Sequence, residues 1–157
     1  MPDVFTKSKR SEVMSRIRSR GNKATELRLI EIFRTHEFTG WRRNQKLFGK
    51  PDFVFRSQRV CVFVDGCFWH GCPKHGTRPK QNRKFWDAKL QRNEERDHEV
   101  DLQLRKAGWR VLRIWEHELA RKNEMRLAGR IRKLIDTESC RSAPKNIRDP
   151  FREDVPR

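Results

Sequence analysis

Apolar residues alternate with polar residues or form short runs in three stretches of the chain, which predicts β-strands there. Residues 52–56 and 59–64 read as two strands joined by the two-residue connection Ser57–Gln58. The second stretch is the more apolar, so we expect it to be buried on both faces, with Cys61 in the core. Residues 109–115 alternate apolar and basic side chains and predict a third strand.

Helical spacing of apolar residues predicts helices between and around these strands. We expect a short basic helix over residues 8–20, a second helix beginning near Asn22 and a final helix over residues 124–135. A long helix is predicted over residues 83–106. Its inward stripe consists of Trp86, Leu90, Asn93, Asp97, Val100 and Leu104. A strand, a long helix and a strand in succession predict a parallel strand pair within an α/β fold.

Length, charge and cysteine content exclude some classes of protein and favour others. The chain has 157 residues and a formal net charge of +17, with 38% charged residues. No apolar run is long enough for a transmembrane segment or a signal peptide, and four cysteines are too few and too clustered for a secreted disulfide scaffold. The charge favours a polyanionic partner such as nucleic acid. We expect one domain over residues 1–137 and a flexible basic tail over residues 138–157.

A glycine-rich loop holds residues with the spacing of zinc ligands. Cys67 and Cys72 are followed closely by His75, and thiolates with imidazoles in close spacing are the ligands that zinc prefers. A fourth ligand must come from elsewhere, and His117 lies just beyond the strand that ends at residue 115. His70 is an alternative to His75 as the ligand, and a set of reduced cysteines without metal is the simpler interpretation.

Several acidic residues lie where a magnesium-dependent nuclease would need them. Asp52 opens a strand and Asp65 ends its hairpin partner, which suits a hard divalent cation, although an aspartate after proline is also common in turns. Asp97 lies on the inward stripe of the long helix, where a carboxylate needs a partner. Glu26 could simply favour a helix dipole. If His70 is free of metal, it is a natural general base.

Large aromatic residues occur in the same loop and at the start of the long helix. Phe68 and Trp69 are as compatible with a wedge that separates stacked base pairs as with a core position. Trp86 is near the start of the long helix. These residues leave the wedge and core interpretations open.

Four motifs together resemble a known family of nucleases. They are PDFV at residues 51–54, VCVFVDGCFWH at 60–70, NEERD at 93–97 and GWRVLRIWE at 108–116, preceded by a basic segment at 10–20. In order and spacing they resemble the Vsr (very short patch repair) DNA mismatch endonucleases, over roughly residues 5–120. The resemblance implies a monomeric restriction-endonuclease-like PD-(D/E)XK fold, a mixed sheet flanked by helices with a structural zinc ion, in the bacterial cytoplasm near the nucleoid.

The resemblance also implies an activity and a role for each candidate residue. Such enzymes nick double-stranded DNA 5′ of the mispaired T in a T:G mismatch, depend on Mg²⁺, and act in repair with possible mismatch-repair protein partners. The implied roles are Mg²⁺ ligation by Asp52 and the Val64 carbonyl; general base catalysis by His70; orientation of water by Glu26 and Asp97; a DNA wedge of Phe68, Trp69 and Trp86; and zinc binding by Cys67 and Cys72.

Two positions depart from the family pattern. Asp65 stands where the pattern has a histidine, and it could serve the metal or the attacking water. His117 stands where the pattern has a distal cysteine, and the local third zinc ligand is either His75 or absent. The alternative functions are a Vsr-like nuclease without mismatch dependence, used in homing or defence, and a zinc-stabilised DNA-binding protein without activity.

Overall fold

A mixed four-stranded sheet forms the centre of the computed structural model, which describes residues 25–76, 80 and 82–137. The sheet and its helices follow one another along the chain as α1 (Glu26–Thr35), β1 (Trp41–Arg43), β2 (Phe53–Phe55), β3 (Val60–Asp65), α2 (Arg83–Lys106), β4 (Arg110–Trp115) and α3 (Glu124–Asp136). Two 3₁₀ turns, Glu116–Leu119 and Arg121–Asn123, connect β4 to α3. The predicted basic helix at residues 8–20 and the predicted tail at 138–157 lie outside the described residues.

The strand order places the start of one strand beside the ends of two others. The order is β1-β2-β3-β4, with antiparallel pairing of β1 to β2 and of β2 to β3, and parallel pairing of β3 to β4. The predicted parallel pair is therefore confirmed. Because β2 runs against β3 while β4 runs with it, Asp52, which precedes β2, lies at the same edge of the sheet as Asp65 and Trp115.

Both faces of the sheet are covered by apolar side chains, as a helix-flanked α/β sheet requires. One core cluster joins α1 and α3 to the sheet and includes Phe33, Phe53 and Ile131. The other lies on the opposite face, where Leu104 of α2 packs with Cys61 of β3. Five of the six residues of β3 are buried, and Cys61 is fully buried, so the predictions that β3 is buried on both faces and that Cys61 is a core residue are confirmed.

The connection between β2 and β3 differs from the predicted two-residue turn. Pairing stops at Phe55 and Val60, so four residues, 56–59, form the connection. The amide of Arg59 donates to the carbonyl of Arg56 at 3.1 Å, and Arg59 has a φ of +51°. A two-residue hairpin turn usually needs positive φ values that Ser57 and Gln58 do not favour, and the longer connection confines the positive φ to one residue.

Strand β1 was not predicted, because it has three residues and no alternation of apolar and polar positions. Its position depends on distant contacts. Trp41 packs on Phe33 and Phe53 with ring centroids 5.6 and 5.7 Å away, and Arg43 pairs in register with Phe53. None of the helices in the described ranges is both long enough and apolar enough to cross a bilayer.

Candidate active site and metal centre

Asp52 lies half-buried at the edge of the sheet, immediately before β2. Its Oδ2 accepts a hydrogen bond from the amide of Val64 at 2.8 Å, which ties the start of β2 to the end of β3. Burial is the main cause that raises the pKa of Asp52 to about 6; the nearby carboxylates of Glu26 and Asp65 add to the shift, and the Val64 amide and His70 oppose it. An oxygen-rich group of repelling carboxylates fits a hard divalent cation such as Mg²⁺.

Glu26 belongs to this acidic group and is more than a helix-dipole residue. It lies in the first turn of α1 with only 5% of its surface exposed, and it forms an ion pair with Arg43 of β1. A buried carboxylate needs such a partner. Its negative charge is one of the causes that raise the pKa of Asp52. Arg43 was not predicted as a site residue because the strand that carries it, β1, was not predicted.

His70 and Asp97 form the closest polar pair of the site. Nδ1 of His70 lies 2.5 Å from Oδ2 of Asp97, which joins the loop after β3 to the middle of α2. Burial opposes ionisation of Asp97, but the hydrogen bond to His70 and the charges of His70 and Arg113 more than offset it, so the pKa of Asp97 is lowered. A carboxylate at Nδ1 leaves Nε2 of the ring to accept a proton, as in a general base held by a carboxylate.

Asp65 has a different environment from Asp52. Its two oxygens lie 3.0 and 2.9 Å from Nη1 of Arg113 on β4, and only 4% of its surface is exposed. Oδ1 of Asp65 is also 3.7 Å from Nδ1 of His70. Burial raises the pKa of Asp65, while Arg113 and His70 counter the shift. The role of Asp65 toward metal or water stays a prediction, and Arg113 was not among the predicted site residues.

The three predicted wedge residues form one aromatic cluster. The ring of Phe68 lies 5.0 Å from that of Trp69 and 5.4 Å from that of Trp86, and the two tryptophan rings are 6.0 Å apart. Phe85 extends the cluster, since its ring is 5.6 Å from Trp86 and 61% of its surface is exposed. Nζ of Lys89 lies 5.1 Å from the centre of the Trp69 ring. The cluster therefore combines exposed aromatic surface with a positive charge.

The loop that carries this cluster is fixed to α2. Nδ2 of Asn93 donates to the carbonyl of Trp69 at 2.8 Å. Gly71 has a φ of +66°, and a Cβ at this position would overlap the Glu94 carboxylate of α2. The positive φ favours glycine here, and a side chain at this position would also displace the Glu94 carboxylate. The same loop thus presents both His70 and Trp69, and it is tied to α2 through Asn93.

The predicted zinc ligands are brought together by the loop and by the turn after β4. The ligand atoms of Cys67, Cys72, His75 and His117 all lie within 4.8 Å of one another. Nδ1 of His117 is 3.3 Å from Sγ of Cys67 and 3.6 Å from Sγ of Cys72, and Nδ1 of His75 is 3.9 Å from Sγ of Cys72.

These distances fit a single tetrahedral ion. Zn–S and Zn–N bonds of ordinary length place a sulfur and a nitrogen about 3.6 Å apart around tetrahedral zinc. Burial raises the pKa of the Cys67 thiol, and the neighbouring Cys72 raises it further, so two thiolates here call for a cation between them. His70 instead contacts Asp97, which favours His75 over His70 as the local imidazole ligand.

Known proteins are similar in sequence to this chain over most of its length. The family model described as DNA mismatch endonuclease Vsr matches residues 2–75. Type II nicking enzyme V.NmeAIP of Neisseria meningitidis is 40% identical over 138 residues, which cover 86% of this chain and 95% of that enzyme. DNA mismatch endonuclease Vsr of Escherichia coli K12 is 36% identical over 117 residues, which cover 74% of each chain.

A third relative shows stronger similarity over a shorter region. Type II nicking enzyme V.NaeI of Lentzea aerocolonigenes is 59% identical over 69 residues, and this alignment covers 44% of this chain and 42% of that enzyme. The similarity to V.NmeAIP and to the E. coli enzyme extends over most of those chains, in agreement with the motifs and with the mixed α/β fold. The chain belongs to the Vsr family of DNA endonucleases.

Proposed function

We propose that this protein is a Mg²⁺-dependent endonuclease that nicks one DNA strand 5′ of the mispaired T in a T:G mismatch, in very short patch repair. The observation that carries the proposal is the His70–Asp97 pair, which lies at the same edge of the sheet as Asp52. A proton acceptor and a metal-binding carboxylate at one edge are the groups that phosphodiester hydrolysis requires.

The acidic group would hold the metal that this reaction needs. Asp52 is its principal ligand in the proposal, with the carbonyl oxygen of Val64 as the second. When bound there, Mg²⁺ would polarise the scissile phosphate and stabilise the charge that develops on it. Glu26 is held in place by Arg43 and lies close enough to Asp52 to orient water in the same site.

His70 acts as the general base in this proposal. Its Nε2 takes a proton from the attacking water while Asp97 holds Nδ1 and stabilises the imidazolium that forms. The water oxygen bonds to phosphorus, one bridging P–O bond breaks, and the leaving oxygen takes up a proton from solvent. The step therefore needs water and no other co-reactant.

The aromatic cluster supports recognition of a mispaired site. Phe68, Trp69 and Trp86 lie on the same loop–helix region as His70, so aromatic side chains that enter the base stack would hold the adjacent phosphate near the general base. A mismatched step costs less to unstack than a paired one, which gives the insertion its selectivity. The net charge of +17 favours binding to the DNA backbone.

One assay tests the activity and its alternatives together. An end-labelled duplex with one central T:G pair and a matched duplex with T:A are incubated with the protein in Mg²⁺ and, separately, without divalent cations. We expect a single nick 5′ of the mispaired T, only in the T:G duplex and only with Mg²⁺. Equal nicking of both duplexes would support a nuclease without mismatch dependence, and tight binding without nicking would support a non-catalytic DNA-binding protein.

We expect the Trp69→Ala variant to lose discrimination between mismatched and matched DNA. Stacking of a base on an aromatic side chain contributes about 1–3 kcal/mol, so the preference for the T:G duplex should fall by about 5- to 150-fold. The measurement is the ratio of nicking rates on the two duplexes. Trp69→Phe retains an aromatic ring and should lose less of the preference. An unchanged ratio in Trp69→Ala would reject the wedge.

A further inference from the structure

A single guanidinium group connects three elements behind the general base. Arg113 lies on β4, and its Nη1 contacts both oxygens of Asp65 at the end of β3, at 3.0 and 2.9 Å. On α2, its Nε donates to Asp101 at 2.9 Å and its Nη2 donates to the backbone carbonyl of Asp97 at 3.2 Å. The guanidinium also lies 4.6 Å from the centre of the Phe63 ring.

The chemistry of arginine suits this position better than that of lysine. The planar guanidinium has donors directed along fixed lines, so it contacts two carboxylates and a carbonyl at the same time. Burial would lower the pKa of Arg113, but Asp65 and then Asp97 and Asp101 raise it, so the group stays charged. Asp65, with 4% of its surface exposed, has in Arg113 the counter-charge that a buried carboxylate requires.

The same guanidinium fixes the carboxylate that contacts His70. Nη2 of Arg113 donates to the backbone carbonyl of Asp97 and lies 3.6 Å from Oδ1 of its side chain. The other oxygen, Oδ2, is the one that lies 2.5 Å from Nδ1 of His70. Asp97 is therefore held on one side by Arg113 and faces the imidazole ring with the other, so a shift of Arg113 would move the contact with His70.

We propose that Arg113 is a positioning residue that orients His70 through Asp97, and that Asp65 anchors Arg113 instead of binding the metal. The proposal rests on the proposed function, in which His70 is the general base. It assigns a role to a β4 arginine whose contacts are with Asp65, Asp97 and Asp101. It also gives Asp65, which departs from the family pattern, a partner on the neighbouring strand.

The test distinguishes two roles of Arg113: orienting Asp97, and neutralising the charge of Asp65. Arg113→Met alone leaves a buried, unpaired carboxylate, which destabilises the fold, so the informative variant is the double substitution Arg113→Met with Asp65→Asn. This pair removes both charges and keeps hydrogen-bonding groups at residue 65. We expect single-turnover nicking of a T:G duplex to slow by about 10- to 100-fold, the usual range for residues that orient a ligand or base, with DNA affinity unchanged within about twofold.

Two further variants sharpen this result. Arg113→Lys keeps the charge but loses the fork of donors, so we expect only partial rescue of the nicking rate. Arg110→Met removes an arginine at the other end of β4, where the guanidinium donates to the carbonyls of Leu134 and Gln58. This control should lower the melting temperature while leaving the nicking rate at low temperature unchanged. Wild-type nicking by the double variant would overturn the proposal, since Arg113 would then be only a counter-ion.

A second measurement does not depend on turnover. In ¹⁵N-histidine NMR spectra of the zinc-loaded wild type, we expect a proton on Nδ1 of His70 with the strong downfield shift of a short hydrogen bond to a carboxylate. The double variant should lose that signal, and its persistence would contradict the proposed link between Arg113 and His70. Failure of the wild type to nick any duplex would instead contradict the proposed function, while the NMR signal would still test the role of Arg113.

Discussion

The Asp52→Asn variant is expected to lose nicking of the T:G duplex by at least about 1,000-fold, equivalent to roughly 4 kcal/mol of transition-state stabilisation. An amide oxygen at residue 52 can still accept the hydrogen bond from the Val64 amide, so the edge of the sheet keeps its connection. The amide has no negative charge, however, and binds Mg²⁺ poorly. The measurement is the single-turnover nicking rate at saturating protein, with DNA affinity measured separately and expected to stay near the wild-type value.

Stability measurements show whether the variant keeps its fold. The pKa of Asp52 in the folded protein is about 6, above its ordinary value of 3.8, so the folded state binds more protons at intermediate pH. Ionisation of Asp52 should therefore lower stability as the pH rises from about 4 to above 6 in magnesium-free buffer. Asp52→Asn should remove this dependence and melt no lower than wild type near neutral pH. Asp136→Asn, at the end of α3, is the matched control, and nicking by Asp52→Asn at the wild-type rate would contradict the assigned role.

Long elements with strong periodicity were the parts of the fold that the sequence predicted well. Helix α2 spans Arg83–Lys106, the predicted range, because its apolar stripe continues over many turns and ends before Gly108. The parallel pairing of β3 and β4 followed from the helix between two apolar strands. Strand β1 could not be predicted in this way, because its pairing with β2 depends on residues far away in the sequence and not on a local pattern.

The structure brings the predicted candidate residues together, and it adds the supporting arginines Arg43 and Arg113, which the sequence pattern did not indicate. Asp97 was predicted as a site residue because a carboxylate on an apolar stripe needs a partner. In the structure its partners are His70 and Arg113. Arg113 itself had a weaker signal. It follows Val111 by two residues, so strand alternation places it on the face that packs against α2, where a charged residue is unusual. Its partners come from three elements, and no spacing along the sequence reveals them.

Neighbouring carboxylates at this edge have different partners, which supports the separate roles proposed for them. Asp52 contacts a backbone amide and repels nearby acids, an arrangement that favours a bound cation. Asp65 already has a cation in Arg113, and Asp97 shares its oxygens between Arg113 and His70. The three residues are all aspartates, so residue type alone does not distinguish them. The positions of Arg113 and His70 do.

Disruption of the Cys67–Cys72–His75–His117 cluster is expected to lower both zinc content and stability strongly. We expect purified protein to contain about one zinc ion per chain, and Cys72→Ala to lose it. Structural zinc contributes about 10–16 kcal/mol of apparent binding free energy in small zinc domains, comparable with the whole stability of a domain of this size. Metal analysis and the melting temperature measure the two effects. Cys61→Ala, which alters a buried cysteine outside the cluster, should retain zinc.

Zinc removal should also abolish nicking, although no zinc ligand takes part in the proposed chemistry. His70 and Trp69 lie in the loop between Cys67 and Cys72, so release of the ion frees the segment that places the general base against Asp97 and the aromatic rings against Trp86. The loss should not be reversed by adding Mg²⁺, and it should be reversed by adding Zn²⁺ if the chain remains folded. Zinc-free protein that melts and nicks like the wild type would show that the loop is held by its contacts with α2, through Asn93 and the close approach at Gly71, and not by a metal ion.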